Sequence, residues 1–180
     1  RLSYALENLM AEVPPDAPNQ ETNNETGDEE MIQPQIGIET QYIKDLSFEN
    51  PVGPGTAEVV AQSPEVSVEV TTSARALEDG KYEVSLVIRG EAKTPETTVF
   101  IIELTYAGLL TVSEVPKDAI GPILLIEGAR LLFPFARNIV ADVSRDGGFP
   151  PLFINPIDFV QLYRDQHMEA EGATNGVGNA

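Results

Sequence analysis

Four stretches in the first two thirds of this chain alternate apolar and polar residues, and that pattern most constrains the fold. A period of two is typical of a strand that buries one face. The stretches are 36–48, with Ile43 and Lys44 as exceptions, 66–71, 82–89 and 99–106. Glu78-Asp-Gly-Lys81 supplies a turn between the second and third, and Asp-Gly is a strong hairpin signal. The sequence predicts four strands, antiparallel at least from the second onward, with one apolar and one acidic face.

A long helix is predicted after the strands. Asp118 suits its N-cap, Pro122 its first turn and Gly147 its C-terminal stop, which gives roughly 25 residues. Pro134 lies inside it and lacks the N–H that would bond the carbonyl of Arg130, so a kink is expected there. Apolar side chains cover about 220° of the helix, whereas a stripe of about 100° suffices to pack a helix on one sheet. The helix therefore has apolar surface for a second partner.

The chain ends with a predicted short helix, and disordered tails are predicted on both sides of the folded part. Asn155-Pro156 is expected to cap the short helix, which ends at about Gln166. Residues 1–35 form an acidic tail and 167–180 a second tail, because both hold too few apolar groups to offset the entropy of ordering. The fold class is α+β: over 36–166, a four-stranded antiparallel sheet packs on one long and one short C-terminal helix.

The charge of the chain limits its partners. It has 29 acidic and 11 basic residues, for a net charge of −18. Nucleic acid and anionic membranes are poor partners for such a chain, whereas a basic protein is attracted to it. There is no cysteine, and no apolar run approaches the roughly 18–20 residues of a membrane span. Because the start also lacks the pattern of a signal peptide, a cytoplasmic protein without membrane insertion is expected.

The sequence predicts that the protein is not an enzyme and needs no metal or cofactor. His167 has no neighbouring serine or acid in a triad-like motif, so a solvated surface histidine is the better interpretation. Gly147-Gly148 follows a helix instead of opening one, and no His, Asp and Glu cluster has metal-ligand spacing. An enzyme or a solitary ligand-binding domain stays open as an alternative. The enzyme requires a pocket with a perturbed base, and the solitary domain would leave the long helix half exposed.

Four residues on the acidic side of the predicted sheet stand out. By alternation, Asp45 and Glu49 point outward from the first strand, and Ile101 and Glu103 point outward from the fourth. One interpretation is an ordinary solvated sheet face. The other is a protein-docking patch, because an apolar anchor with a polar rim is the usual construction of such patches.

Four blocks of sequence carry a resemblance to a known family. They are Tyr42-Ile-Lys-Asp-Leu-Ser-Phe-Glu-Asn-Pro51, Leu131-Leu-Phe-Pro-Phe-Ala-Arg137, Val143-Ser-Arg-Asp-Gly-Gly-Phe-Pro150 and Asn155-Pro-Ile-Asp-Phe159. In this order they resemble SecB, the bacterial protein-export chaperone, over about 36–166. The resemblance implies a tetramer, built as a dimer of dimers, that captures unfolded preproteins without ATP and passes them to the SecA motor. A SecB-like chaperone of narrower role, with an antitoxin as client, stays open.

The resemblance also implies roles for individual residues. The SecA-docking residues are Asp45, Glu49, Ile101 and Glu103. The substrate-groove residues are Val66, Val68, Val70, Phe159, Leu162 and Tyr163, each of which could instead be ordinary core. Independently of the resemblance, the apolar arc of the long helix is wider than one sheet covers, so Leu132 and Phe133 are expected at an oligomer interface, in a tetramer of about 78 kDa, four times 19.5 kDa. The chain departs from the family in two places: the connection 50–64 has no tryptophan, and the acidic lead is longer than typical. Residues 1–9 are either upstream sequence or a short helix of other origin.

Overall fold

The four predicted strands are present and form one sheet. The structure, a computed structural model, describes residues 35–175. Its strands are β1 (Gln35–Glu49), β2 (Glu65–Ala76), β3 (Lys81–Lys93) and β4 (Thr98–Ser113), in the spatial order β1-β4-β3-β2. All neighbours are antiparallel, as predicted. The turn between β2 and β3 is also as predicted: Asp79 and Gly80 have φ of 58° and 70°, and the N–H of Leu77 donates to the carbonyl of Lys81.

Strand β1 carries two bulges that the alternation did not predict. The register with β4 shifts between Ile38 and Thr40 and again between Ile43 and Asp45. An extra residue in one strand moves the following side chains to the opposite face. Ile43 therefore pairs with core residue Tyr106 and shares its face, while Tyr42 pairs with Ala107 on the other face. The second bulge restores the first alternation, which explains why the exceptions at Ile43 and Lys44 are local.

The connection between β1 and β2 contains local structure. A 3-10 turn at Gly53–Gly55 is followed by a short helix, α1 (Thr56–Val60). The side chain of Asn50 begins this arrangement, because its Oδ1 accepts the N–H of Gly53 at 2.9 Å. Five prolines and glycines in 50–64 break strand periodicity but leave room for turns that side-chain hydrogen bonds stabilise.

The long helix is longer than predicted and irregular at a different place. It comprises α2 (Lys117–Ile123), a π-helical turn (Leu124–Gly128) and α3 (Ala129–Asp146). Pro116 is the N-cap, so Asp118 lies in the first turn, where its carboxylate complements the helix dipole. The helix continues through Pro134, and the departure from α geometry is the π turn upstream of it. Gly147 follows the last helical residue, as predicted.

One side of the long helix packs on the sheet, which corrects the assignment of Leu132 and Phe133 to an oligomer interface. They are 0% and 7% exposed and belong to the core of this chain. Leu132 reaches so far into the sheet that a Cβ at Gly108 of β4 would lie 2.8 Å from it. Leu131 and Phe135, on the opposite side of the helix, are 40% and 47% exposed. Residues one position apart differ by about 100° around a helix, so neighbours in sequence can have opposite environments.

The long helix also has the length and composition of a membrane span. Among residues 35–175, Lys117–Asp146 is the one stretch that meets both criteria, with a mean hydropathy of 1.5 over its most apolar 18 residues. A helix that packs on a sheet in a protein core can meet the same criteria. One third of that window is buried against the rest of the chain.

The last helix, α4 (Phe159–Asn175), begins and ends later than predicted. Asp158, and not Asn155, is its N-cap, because Asp158 Oδ1 accepts the N–H groups of Val160 and Gln161 at 3.0 and 3.1 Å. Of the tail predicted at 167–180, residues up to Asn175 continue the helix, and 176–180 lie outside the described residues. The N-terminal tail predicted at 1–35 also lies outside them, except for Gln35, which begins β1.

Candidate functional site

An apolar groove runs along the helix-facing side of β2. Its floor is Val66, Val68 and Val70, which alternation places on one face, and the first two are 45% and 39% exposed. Its wall is the segment 149–157, between the long helix and α4. Two hollows, of about 250 and 470 Å³, adjoin each other because they share Val66 and Leu152. We call this surface the groove; its other lining residues are Val60, Pro64, Phe100, Phe149, Pro150, Pro151, Phe153, Ile154, Asn155, Pro156 and Ile157.

The wall of the groove has no regular secondary structure, and its sequence explains why. Pro150, Pro151 and Pro156 have no N–H to donate, so the segment can neither continue the helix nor join the sheet. Phe149 anchors it, since its ring lies 4.9 Å from that of Phe100 between centroids and is buried. Phe153, by contrast, is 69% exposed. The wall therefore exposes apolar side chains to solvent, while the buried ring of Phe149 holds its first residue in place.

Half of the residues predicted for a substrate groove line it. Val66, Val68 and Val70 do. Phe159 does not, because it is 2% exposed and packs edge-on against Phe133 in the core, at 5.6 Å between ring centroids. Leu162 and Tyr163 are half-buried on α4 and line neither hollow: Leu162 packs against the core, and the ring of Tyr163 lies over His167.

The wall itself was missed by pattern analysis of the sequence. Its residues lack the period of a strand or a helix, so alternation could not assign a face to any of them. A signal was nevertheless present. An apolar stretch that contains three prolines in eight residues, as 149–156 does, cannot form regular structure and is expected to leave apolar side chains exposed.

The opposite face of the sheet, which we call the outer face, brings together the four residues predicted for docking. Glu49 pairs with Ile101 across β1 and β4, and Glu103 pairs with Ser47, two residues from Asp45. Asp45 and Glu103 line a depression of about 300 Å³ together with Glu69, Thr71, Val87, Arg89 and Thr105. Arg89, which the sequence analysis did not single out, binds Glu103 with 2.5 Å between Nη1 and Oε1. Both side chains are about half exposed, so this pair contributes only about 0.2–1 kcal/mol.

One carboxylate on the outer face is buried. Glu83 of β3 is 3% exposed, and its oxygens accept from Tyr42 at 2.8 Å, from Lys44 at 2.9 Å and from Arg75. The hydrogen bond from Lys44, with those from Tyr42 and Arg75, lowers the pKa of Glu83 from its ordinary 4.5 to about 2. The hydrogen bond to Glu83 in turn raises the pKa of Tyr42. These contacts link β1, β2 and β3, so a hydrogen-bonded ionic network joins three strands on the outer face.

The Glu83 network predicts a pH dependence of stability. A carboxylate with a depressed pKa stabilises the fold above its unfolded pKa, and that stability is lost as pH falls from about 4.5 towards 2. Glu83→Gln should therefore be less stable than the wild type at pH 7, by about 1–3 kcal/mol. The difference should shrink as pH falls to 2. Urea unfolding at equal chain concentration, at pH 7 and pH 3, measures it, and a difference that does not depend on pH would contradict the assignment.

The one histidine of the chain, His167, lies on α4 and outside the lining of both the groove and the depression. His167 is exposed, as predicted, and its Nδ1 lies 2.9 Å from the carbonyl oxygen of Tyr163. Within residues 35–175 no three His, Asp or Glu side chains are placed to hold a metal ion. The groove and the outer face are instead two surfaces with opposite character, one apolar and one acidic.

Comparison with known proteins identifies the family. The family model described as SecB, preprotein translocase subunit SecB, matches residues 29–170. The protein-export protein SecB of Bradyrhizobium sp. is 48% identical over 143 residues, which cover 79% of this chain and 88% of that protein. The protein of the same name from Rhodopseudomonas palustris is 47% identical over 140 residues, or 78% of this chain and 85% of that one.

A solved structure agrees with the architecture. A SecB-like chaperone of Mycobacterium tuberculosis, in complex with a ChAD peptide from the HigA1 antitoxin, matches with a TM-score of 0.57. It is 16% identical, and the match covers 68% of this chain and 90% of that one, so this likeness shows the fold alone. The family model and the sequence relatives both span most of the chain, and the family is one of chaperones and not of enzymes. The chain belongs to the SecB family, and it is a protein-export chaperone.

Proposed function

We propose that this chaperone holds unfolded preproteins in the groove, in the cytoplasm and without ATP, and delivers them to the SecA motor through its outer face. The observation that carries the proposal is the placement of the two surfaces on opposite sides of one sheet. Val66 and Val68 face the helices, whereas Asp45 and Glu103 face away from them. A client in the groove therefore leaves the outer face accessible, so one chaperone can bind client and motor together.

The groove suits unfolded segments of varied sequence. Its lining is aliphatic, aromatic and proline side chains with few polar groups, so binding depends on buried apolar area more than on a specific pattern. β2 is also an edge strand, since among residues 35–175 it pairs only with β3. An extended client can add backbone hydrogen bonds along such an edge. Unfolded preproteins expose both features before export.

The outer face suits a basic partner. Asp45, Glu49, Glu69 and Glu103 lie on its exposed surface, and Arg89 among them is paired with Glu103. Because the whole chain carries a charge of −18, long-range attraction accelerates encounter with a basic docking segment of SecA. Ile101, half-buried between the carboxylates, adds the apolar contact that charge alone does not provide.

Assembly into a homotetramer explains two exposed apolar surfaces. The first is the edge of β1, where Ile38, Tyr42, Ile43 and Leu46 are each 37–47% exposed. A long apolar edge strand is prone to uncontrolled pairing unless another chain covers it. The second is the outward side of the long helix, with Leu131 and Phe135. A dimer of dimers has two kinds of contact between subunits, and each of these surfaces can form one of them.

The helix surface gives a test of assembly. Leu131→Glu with Phe135→Glu should reduce the mass in solution from about 78 kDa to that of a dimer or monomer. Both side chains are exposed in the single chain, so the substitution places charge in the proposed contact without opening the core. Light scattering after size-exclusion chromatography measures the mass. Phe153→Glu, a change of the same kind at one exposed site outside the long helix, is the control and should leave the tetramer intact.

Client holding and delivery can be tested on the complete chain. A chemically unfolded preprotein is diluted into buffer with or without the chaperone, and its aggregation is followed by light scattering. We expect suppression without ATP, and release of the client when SecA and ATP are added. Suppression that requires ATP, or a client that SecA cannot recover, would contradict the proposal.

A further inference from the structure

One wall of the groove is fixed by a buried hydroxyl. Ser144, in the last turn of α3, is fully buried, and its Oγ accepts the N–H of Leu152 at 2.8 Å. Its hydroxyl proton is directed to the carbonyls of Val140 and Ala141, at 2.9 and 3.1 Å. Leu152 is one of the two residues that both hollows share. The serine thus holds the middle of the wall, in the stretch between Pro151 and the exposed Phe153.

The other side of the groove is fixed by an amide. Asn50 Nδ2 lies 3.3 Å from the carbonyl oxygen of Gly147 and 3.2 Å from Thr56 Oγ1, while its Oδ1 accepts the N–H of Gly53. It therefore ties the connection that carries Val60 and Pro64 to the end of the long helix. The approach is close, because a Cβ at Gly147 would lie 2.3 Å from the ring of Phe48.

We propose that Ser144 and Asn50 are positioning residues that set the width of the groove. They act from the same place, the C-terminal end of α3, where Ser144 holds the 149–157 wall and Asn50 holds the 50–64 connection. Neither side chain lines the hollows. The inference rests on the proposed use of the groove for clients, and it adds that the groove is held open in the free chaperone.

The physical reason is preorganisation. The 149–157 wall has no regular secondary structure to hold it, and its prolines remove backbone donors, so few hydrogen bonds maintain its position. Without the bond to Ser144, the wall can collapse onto Val66 and Val68, which are apolar and exposed. A client would then have to separate the wall from these valines before binding. The free energy needed for that separation lowers the affinity of the chaperone for the client.

The test uses the full-length chain, which has no cysteine, so one cysteine placed at Thr97 carries a dye for anisotropy. Ser144→Ala, Asn50→Ala and the double variant are compared with wild type for binding of an unfolded client and for hydrogen exchange at the Leu152 amide. We expect Ser144→Ala to raise exchange at Leu152 at least about tenfold and to weaken client binding about five- to twentyfold. Exchange in the middle of β3 and β4 should stay unchanged.

Controls separate this inference from the function on which it rests. Ser85→Ala makes the same substitution at another largely buried serine, on β3 and away from the groove, and should change neither readout. Val68→Asp changes the groove floor itself. One outcome is that Val68→Asp weakens client binding, whereas Ser144→Ala and Asn50→Ala do not. The groove is then supported as the client site, and the positioning role is wrong. If Val68→Asp has no effect, the groove is not the client site. Should Ser144→Ala not fold, Ser144→Cys keeps a weaker acceptor and should give intermediate values, with the dye placed on the client so that the chaperone carries no label.

Discussion

Replacing Val68 and Phe153 by aspartate should abolish most of the holding activity while the chaperone stays folded and tetrameric. Both residues line the larger hollow, one on its floor and one on its wall, and both are substantially exposed in the free chain. A client that buries apolar side chains there would have to desolvate two carboxylates without a partner for either. Each costs on the order of 1–3 kcal/mol, so we expect affinity to fall about a hundredfold.

The chain offers a closely matched control. Leu77 has the same exposed fraction as Val68, 39%, and Met168, at 62%, is close to Phe153, at 69%. Leu77→Asp with Met168→Asp therefore adds the same charge at sites of similar exposure outside the groove. Aggregation of an unfolded preprotein and the dissociation constant of a labelled client are measured for both double variants. Equal activity of the two would show that charge, and not the groove, controls holding.

Alternation of apolar and polar residues predicted the four strands of the sheet, but it did not predict the bulges of the first strand. In β3 and β4 the helix-facing residues keep a strict period of two from Val84 to Leu110, because both strands have a neighbouring strand on each side. β1 lies at an edge, where an extra residue costs little, and its two bulges reverse the faces of Tyr42 and Ile43. In the sequence, a bulge is visible only as an exception to the alternation, and such an exception does not show that a bulge causes it.

The long helix shows a different limit of sequence patterns. Its wide apolar arc predicted more apolar surface than the sheet covers, and Leu131 and Phe135 are indeed exposed, but the arc could not indicate which side faces the sheet. That choice depends on complementary space, such as the gap at Gly108 that admits Leu132, and such space exists only after the sheet has formed. Leu132 and Phe133 therefore belong to the core, and Leu131 and Phe135 to the exposed side.

The two candidate surfaces differ in how far the sequence could specify them. The outer face follows from strand register alone, so Asp45, Glu49, Ile101 and Glu103 were brought together as expected. The groove depends on a segment without periodicity and on two hydrogen bonds, from Leu152 to Ser144 and from Asn50 to Gly147. No periodic pattern in the sequence relates the two residues of either bond. Asn50 is also far from Gly147 along the chain. Only the three valines of the floor had a period to identify them.

Charge reversal on the outer face should remove SecA binding and spare client holding. In the variant Asp45→Lys with Glu103→Lys, two attractive contacts become repulsive, and the effect repeats in every copy of the proposed tetramer. Single exposed pairs are worth about 0.2–1 kcal/mol, but several that act together in a multivalent complex lower affinity by about a hundredfold or more. The fold should survive, because Glu69 pairs with Arg89 across β2 and β3 and can replace Glu103 as its partner.

The control for charge reversal keeps the same net charge at other sites. Glu78→Lys with Glu96→Lys changes the total from −18 to −14, as the docking variant does, but places both lysines in exposed turns. Isothermal titration with SecA at low and high salt should show strong, salt-sensitive binding for wild type and control, and little binding for the docking variant. A client-aggregation assay on the same samples tests whether holding is retained. Unchanged SecA affinity in a folded docking variant would show that the motor binds elsewhere, and parallel loss of holding would mean that these carboxylates support the fold.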